Sequence, residues 1–226
     1  LSTKNNIEKI EVDANASARQ KKQDGNYFDS FIGLDFIYDK RNQKYQTTDG
    51  FFSSYNVNVP IISDTNTLTN IYNYKIFKEL YENNVSSLSL LFKTANSLSS
   101  DDVKLSERLY LPGRRLRGFE SGKVGPKDGS DFIGGNYVSS INATTTLPVI
   151  FQNVQNVDVV MFADAANIWG VDYDSSLDNS GIRSSVGLGL DWLTPVGPLT
   201  FSFAHPITKE STDIEETFRF NIGTTF

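Results

Sequence analysis

Phe51-Phe52-Ser53-Ser54-Tyr55-Asn56-Val57-Asn58-Val59 is the stretch on which the fold turns. Phe51, Ser53, Tyr55, Val57 and Val59 fall on one face and Phe52, Ser54, Asn56 and Asn58 on the other. That is the two-residue period of a strand with one apolar and one polar side. The same alternation returns near the C-terminal end, where Val186, Leu188, Leu190 and Trp192 oppose Gly187, Gly189 and Asp191. Leu199, Phe201 and Phe203 oppose Thr200, Ser202 and Ala204. Last, Phe218, Phe220, Ile222 and Phe226 oppose Arg219, Asn221, Gly223 and Thr225. The runs are about nine residues or longer, enough to cross a bilayer as tilted strands.

Extended along the chain, the pattern predicts about ten strands, at 7–19, 27–39, 50–60, 68–81, 85–95, 136–148, 157–168, 183–194, 198–207 and 216–226. Helix signals are nearly absent. Tyr38, Phe51, Tyr72, Tyr81, Trp169, Trp192 and Phe226 sit at strand ends, as in the aromatic girdles of membrane barrels. Short connections (82–84 and 194–198) contrast with long polar ones (96–135, 170–182 and 208–215). The fold expected is an all-β, transmembrane antiparallel β-barrel with turns on one side and loops on the other. A soluble β-sandwich also alternates, but its strands average about five to six residues. The polar faces here are rich in Ser, Thr, Asn and Gly rather than Lys and Glu.

Composition narrows the function classes. The 226 residues suffice for one sizeable domain or barrel. Without cysteine there is neither a disulfide nor a thiolate metal site, and His205 is the only histidine. A net charge of −6 argues against neutralising nucleic-acid phosphates. No apolar run reaches the roughly 20 residues of a membrane-spanning helix, which leaves strands untouched as an option. The start, at Leu1, lacks a signal-peptide pattern, so the chain reads as a processed or truncated piece. His205 reads as a loop or interfacial residue. Asp101, Asp102, Asp131, Glu215 and Glu216 are scattered over separate loops and read as solvated charge, not a metal site. Gly134-Gly135 lacks the Lys and helix of a phosphate loop. Nothing points to an enzyme or a cofactor.

One segment stands apart: Leu111-Pro112-Gly113-Arg114-Arg115-Leu116-Arg117-Gly118-Phe119, inside the 96–135 connection. A connection of that length is functional or disordered, and three arginines so close together need acceptors to be buried. The functional reading folds this loop back into the barrel lumen. The competing reading is a surface cluster against lipid headgroups or lipopolysaccharide, open for Arg114 and Arg115 above all.

Arg117-Gly118-Phe119, followed by Val124-Gly125-Pro126-Lys127 and Gly134-Gly135-Asn136, resembles the lid loop of the BamA family of outer-membrane protein assembly factors. Phe162-Ala163-Asp164, the run Asp191-Trp192-Leu193-Thr194-Pro195-Val196-Gly197-Pro198-Leu199, and Phe218 to Phe226 extend the resemblance. Upstream, Tyr38-Asp39-Lys40-Arg41-Asn42 with Asp49-Gly50 matches its strand-turn motif. Three positions depart from the pattern: Ala166 for Gly, Thr47 for Pro, and Thr144 for a lumenal Glu.

The resemblance implies sixteen strands preceded by POTRA domains. The whole chain, 1–226, would then be the C-terminal portion of such a barrel, without the POTRA domains and roughly the first six strands. It implies assembly and insertion of outer-membrane β-barrels in the outer membrane of a Gram-negative bacterium. The partners implied are unfolded outer-membrane protein substrates, assembly-complex lipoproteins and outer-membrane lipid. Arg117, Gly118 and Phe119, with Arg115 and Arg114, would form the lid-loop latch. Asp164 is the first choice of lumenal partner, because the period places Phe162, Asp164 and Ala166 on one face while Val159, Met161 and Ala163 face lipid. Phe218, Phe220, Ile222, Gly223 and Phe226 would form the terminal strand at a weak seam; Gly223 reads equally as an ordinary small lumenal residue. A two-partner-secretion or autotransporter-assembly pore shares the Arg-Gly-Phe loop, and a passive porin or structural barrel is a further alternative. The Trp192–Leu199 segment favours the assembly factor.

Overall fold

A computed structural model describes residues 1–82, 84–147, 156–195 and 197–223. Its frame is one antiparallel sheet of ten strands, each paired with its neighbours in the sequence. The strands are β1 (Ser2–Ile10), β2 (Gly25–Asp39), β3 (Gly50–Ser63), β4 (Thr67–Tyr81), β5 (Asn84–Ser97), β6 (Tyr137–Thr146), β7 (Val157–Trp169), β8 (Arg183–Thr194), β9 (Gly197–Thr208) and β10 (Phe218–Ile222). The all-β antiparallel class expected from the alternation is the class observed. Among the described residues β1 pairs only with β2 and β10 only with β9, so the sheet is open at both ends.

The two faces differ as the period requires. Tyr72, Phe92, Met161, Leu188, Phe203 and Phe218 are exposed on the outward face. Ser89, Asn142, Asp164, Ser185 and Ser202 are buried on the inward face, which lines the lumen. Aromatic pairs bridge neighbouring strands outside, Phe201 with Phe220 and Phe203 with Phe218, both at 4.9 Å between ring centroids. A hydrophobic outside around a polar inside inverts the pattern of a water-soluble sandwich.

Several expected boundaries are corrected. β1 begins and ends earlier than 7–19. Residues 18–21 instead form a short helix, α1 (Ala18–Lys21), opened by a capping box in which Ser17 and Gln20 each bond the other's backbone N–H. Among the described residues the terminal strand begins at Phe218 rather than at 216, because Glu215 and Glu216 leave the sheet and pair with the lid at Phe119 and Gly118. Connection length does not alternate strictly either: the short 64–66 lies on the lid side, and the longer 40–49 on the opposite side. Phe226, the end of the expected 136–148 strand, and Asn83 and Val196 in the turns lie outside the described residues.

The lumen is not uniformly polar. Between β5 and β6 the chain runs through residues 98–136, the lid, and folds into the sheet's concave side. There Leu111, Leu116, Phe119 and Val124 of the lid pack on Leu91, Val138, Ala166 and Ile168 of the wall. The methyl of Ala166 thus belongs to an apolar core, where a family glycine would leave space. Deeper down the same wall, the inward residues turn polar.

Candidate functional site

The floor of that core is a cross-strand row of polar side chains. Register places Ser89 (β5) opposite Asn142 (β6), Asn142 opposite Asp164 (β7), and Asp164 opposite Ser185 (β8). Because side chains alternate faces, one inward residue from each of four adjacent strands lands at the same depth. The lid's cationic segment sits on this row.

Arg117 meets Asp164 three ways. Its Nε donates to Oδ2 at 2.7 Å, its Nη2 donates to Oδ1 at 2.7 Å, and its backbone N–H donates to Oδ2 at 3.1 Å. This is the two-pronged geometry that a planar guanidinium offers a carboxylate. The Asp164 side chain is 0% exposed and that of Arg117 15%. Asn142 Nδ2 donates to Asp164 Oδ1 at 2.9 Å, and Ser185 donates to the Arg117 carbonyl. The guanidinium also lies 3.4 Å from the Phe162 ring centroid, a cation–π contact. Phe162 finds room because its cross-strand neighbour is Gly187, where a Cβ would come within 2.5 Å of the ring.

Arg115 occupies the next seats along the row. Its Nη1 donates to Ser89 and, at 3.4 Å, to Asn142 Oδ1, while Nη2 donates to Asn73 Oδ1 at 3.1 Å. Asn142 Nδ2 returns a bond to the Arg115 carbonyl at 2.9 Å. Arg114 is different: it is exposed and makes no hydrogen bond or ion pair among the described residues. The structure does not bring it into the latch.

Gly118 then turns the chain with φ +94, a left-handed value, in a gap where an added Cβ would lie 3.3 Å from both Ser185 Cβ and Ala204 Cβ. Both conformation and space call for glycine. Phe119, almost fully buried, closes the apolar core. Phe218, Phe220 and Ile222 point outward on β10, away from the lid. Gly223 follows them with φ +115 and nothing near its Cβ position, so the backbone, not packing, asks for glycine there.

Several anchors escape the sequence reading. Arg183 and Asp213 pair with both side chains 0% exposed. Asp213 also accepts from the Gly125 and Glu210 backbone N–H groups at 3.3 and 2.8 Å. Arg108 pairs with Asp172 and lies 4.8 Å from the Tyr173 ring centroid. Lys104, buried, bonds Glu8 of β1 and Asp29 of β2, both at 3.1 Å. Glu107 accepts from Thr65 and Thr67; burial holds its carboxyl above the usual range despite those bonds. The sequence signal, where there was one, was parity: Arg183 lies on the same face of β8 as Ser185 and Gly187, so a charge there faces inward. The lid is therefore fastened from β1 to β8 along its rim as well as at its centre.

The Omp85 superfamily domain matches residues 1–226. The chain is 32% identical over 154 residues to outer membrane protein assembly factor BamA of Neisseria meningitidis serogroup B, across 55% of this chain and 19% of the relative. Against BamA of Nitratidesulfovibrio vulgaris it is 26% identical over 231 residues, covering 97% of this chain and 28% of the relative. It also resembles the crystal structure of BamA from Haemophilus ducreyi lacking POTRA domains 1–3, with a TM-score of 0.81 and 26% identity over 86% of this chain and 42% of that one. The chain thus spans less than a third of the length of these two curated relatives. With every residue inside the matched domain, the chain belongs to the Omp85 superfamily.

Proposed function

We propose that this chain is the C-terminal ten strands of an outer-membrane insertase, which folds β-barrel substrates into the membrane of a Gram-negative bacterium. The observation that carries the reading is the contrast between lid and terminal strand. The lid is tied to the wall by charge-assisted bonds, whereas β10 holds the sheet by five residues and leaves its other edge unpaired among the described residues. Backbone N–H and C=O groups at such an edge have no water to satisfy them in hydrocarbon, so they accept an incoming strand. The outward Phe218, Phe220 and Ile222 present that edge at lipid depth. The work is mechanical: hydrogen bonds are exchanged between strands and no covalent bond changes.

Arg117, Gly118 and Phe119, with Arg115, serve in this reading as the latch that keeps the concave wall rigid while the seam opens. Asp164 and Phe162 form its seat. Unfolded outer-membrane proteins are the substrates, with membrane lipid and assembly-complex lipoproteins as further partners. The test is reconstitution of the chain with the remainder of its protein in lipid vesicles, followed by addition of a urea-denatured barrel substrate. Accelerated appearance of the heat-modifiable, folded substrate is expected. Ion conductance without any acceleration would turn the assignment to a secretion pore.

A further inference from the structure

Arg219 is the one charged side chain on the inward face of β10, and it does not face open lumen. Its Nη2 donates to the Phe119 carbonyl of the lid at 2.6 Å, and its Nε donates to Glu216 Oε2 at 2.7 Å. Its Nη1 is buried with no hydrogen-bond partner among the described residues. That third nitrogen sits against Gly113: an ideal Cβ there would fall 2.1 Å from it. The same corner carries the pairing of Glu215–Glu216 with Gly118–Phe119 and the bond from Glu120 N–H to the Ile214 carbonyl at 2.8 Å. Residues 214–216 are therefore spliced to the lid, while Thr217 already bonds β9, its carbonyl accepting from the Ala204 N–H at 2.9 Å.

We infer that Arg219 is a positioning residue that pins the terminal strand to the lid, so that the start of the strand is set by the lid's position. The inference rests on the strand-exchange reading of β10 and deepens it. Beyond the existing Thr217–Ala204 bond, register would let β10 grow backwards, with Glu216 opposite His205 on β9. The lid competes for Glu215 and Glu216, and Arg219 holds them on the lid side. Releasing the pin frees 215–216 to pair with β9, or lets β10 peel from β9 without dragging the lid.

The test uses the full-length protein in lipid vesicles and amide hydrogen exchange read by mass spectrometry. Two variants address the pin from opposite sides: Arg219→Gln removes the fork from the strand, and Gly113→Ala drives a methyl into its place from the lid. Both should raise exchange in 214–222 at least tenfold, while 140–142 and 164 stay protected. The double variant should exchange no faster than the faster single, because both remove one contact. Arg219→Lys, able to reach one of the two acceptors, should fall between. Unchanged exchange at 218–222 in Gly113→Ala would overturn the pin, as would strict additivity of the two variants. Substrate-folding rates measured on the same samples test the seam reading separately: a pin seen by exchange, with folding rates unaltered, counts against that reading and not against the pin.

Discussion

Arg183 at the start of β8 and Asp213 in the 209–217 connection form an ion pair with neither side chain reaching solvent. The guanidinium gives Asp213 bonds of 2.9 and 3.3 Å, and its Nη1 also satisfies the Asn179 and Gly181 carbonyls. Through Gly125 the same carboxylate holds the lid. Desolvation makes such a pair a modest net stabiliser when intact and a severe liability when halved. Asp213→Ala should therefore cost about 3–5 kcal/mol, seen as a lower temperature of heat-modifiability on gels. The paired replacement Arg183→Met/Asp213→Leu should recover only part of the loss, since it removes the unpaired charge but strips partners from the Asn179 and Gly181 carbonyls and the Gly125 and Glu210 N–H groups.

Arg114 and Arg115, adjacent in the lid, should separate cleanly. Arg114→Ala, at an exposed and unpartnered position, should change stability by no more than about 0.5 kcal/mol. Arg115→Ala strips a donor from Ser89, Asn73 and Asn142 and should cost about 1–3 kcal/mol. Denaturant midpoints of the inserted protein would show the ranking, and equal effects at the two sites would contradict the placement.

Gly118 combines a left-handed φ with Cβ atoms already close on two sides. Gly118→Ala should cost about 1–3 kcal/mol through strain, and it should loosen the pairing with Glu215–Glu216. Amide exchange at Glu216 and Gly118 is the readout.

Glu107 gives the lid's rim a pH dependence with a definite sign. Burial holds its carboxyl above the ordinary 4.5. The folded state therefore binds this proton more tightly than the unfolded state does. Its contribution is fully present below about pH 4.5 and is lost as pH rises through the elevated folded value. Glu107→Gln should flatten that part of the profile of lid opening, followed by protease sensitivity, and a steeper profile would contradict it.

The fold was legible because a barrel writes its two faces directly into alternate residues, and strands near 50–60, 157–168 and 183–194 appear close to where the alternation puts them. Parity also places Asp164 inward, opposite Arg117. What the sequence hid has physical causes. Polar residues of ordinary type (Ser89, Asn142, Ser185) become a seat only through register, which no single strand reveals. Arg108 finds Asp172 across 64 residues, a choice made by loop packing. The terminal strand starts only at Phe218 because Glu215 and Glu216 pair with the lid, and a local pattern carries no record of that pairing. The α1 helix has a legible mark in the Ser17–Gln20 capping box, at odds with a single strand over 7–19.

The contact between Arg117 and Asp164 holds the lid at its centre, and a double-mutant cycle on lid opening tests it most directly. Proteolysis of the lid by proteinase K, added outside vesicles holding the inserted protein, gives the opening equilibrium for wild type, Arg117→Ala, Asp164→Asn and the double variant. Arg117→Ala leaves a buried carboxylate unpaired and should raise lid cleavage by about a hundredfold or more, from a loss of about 3–5 kcal/mol. The double variant should be no worse than the worse single. Cleavage unchanged by Arg117→Ala, or single effects that simply add, would show that the lid is held by something other than this pair.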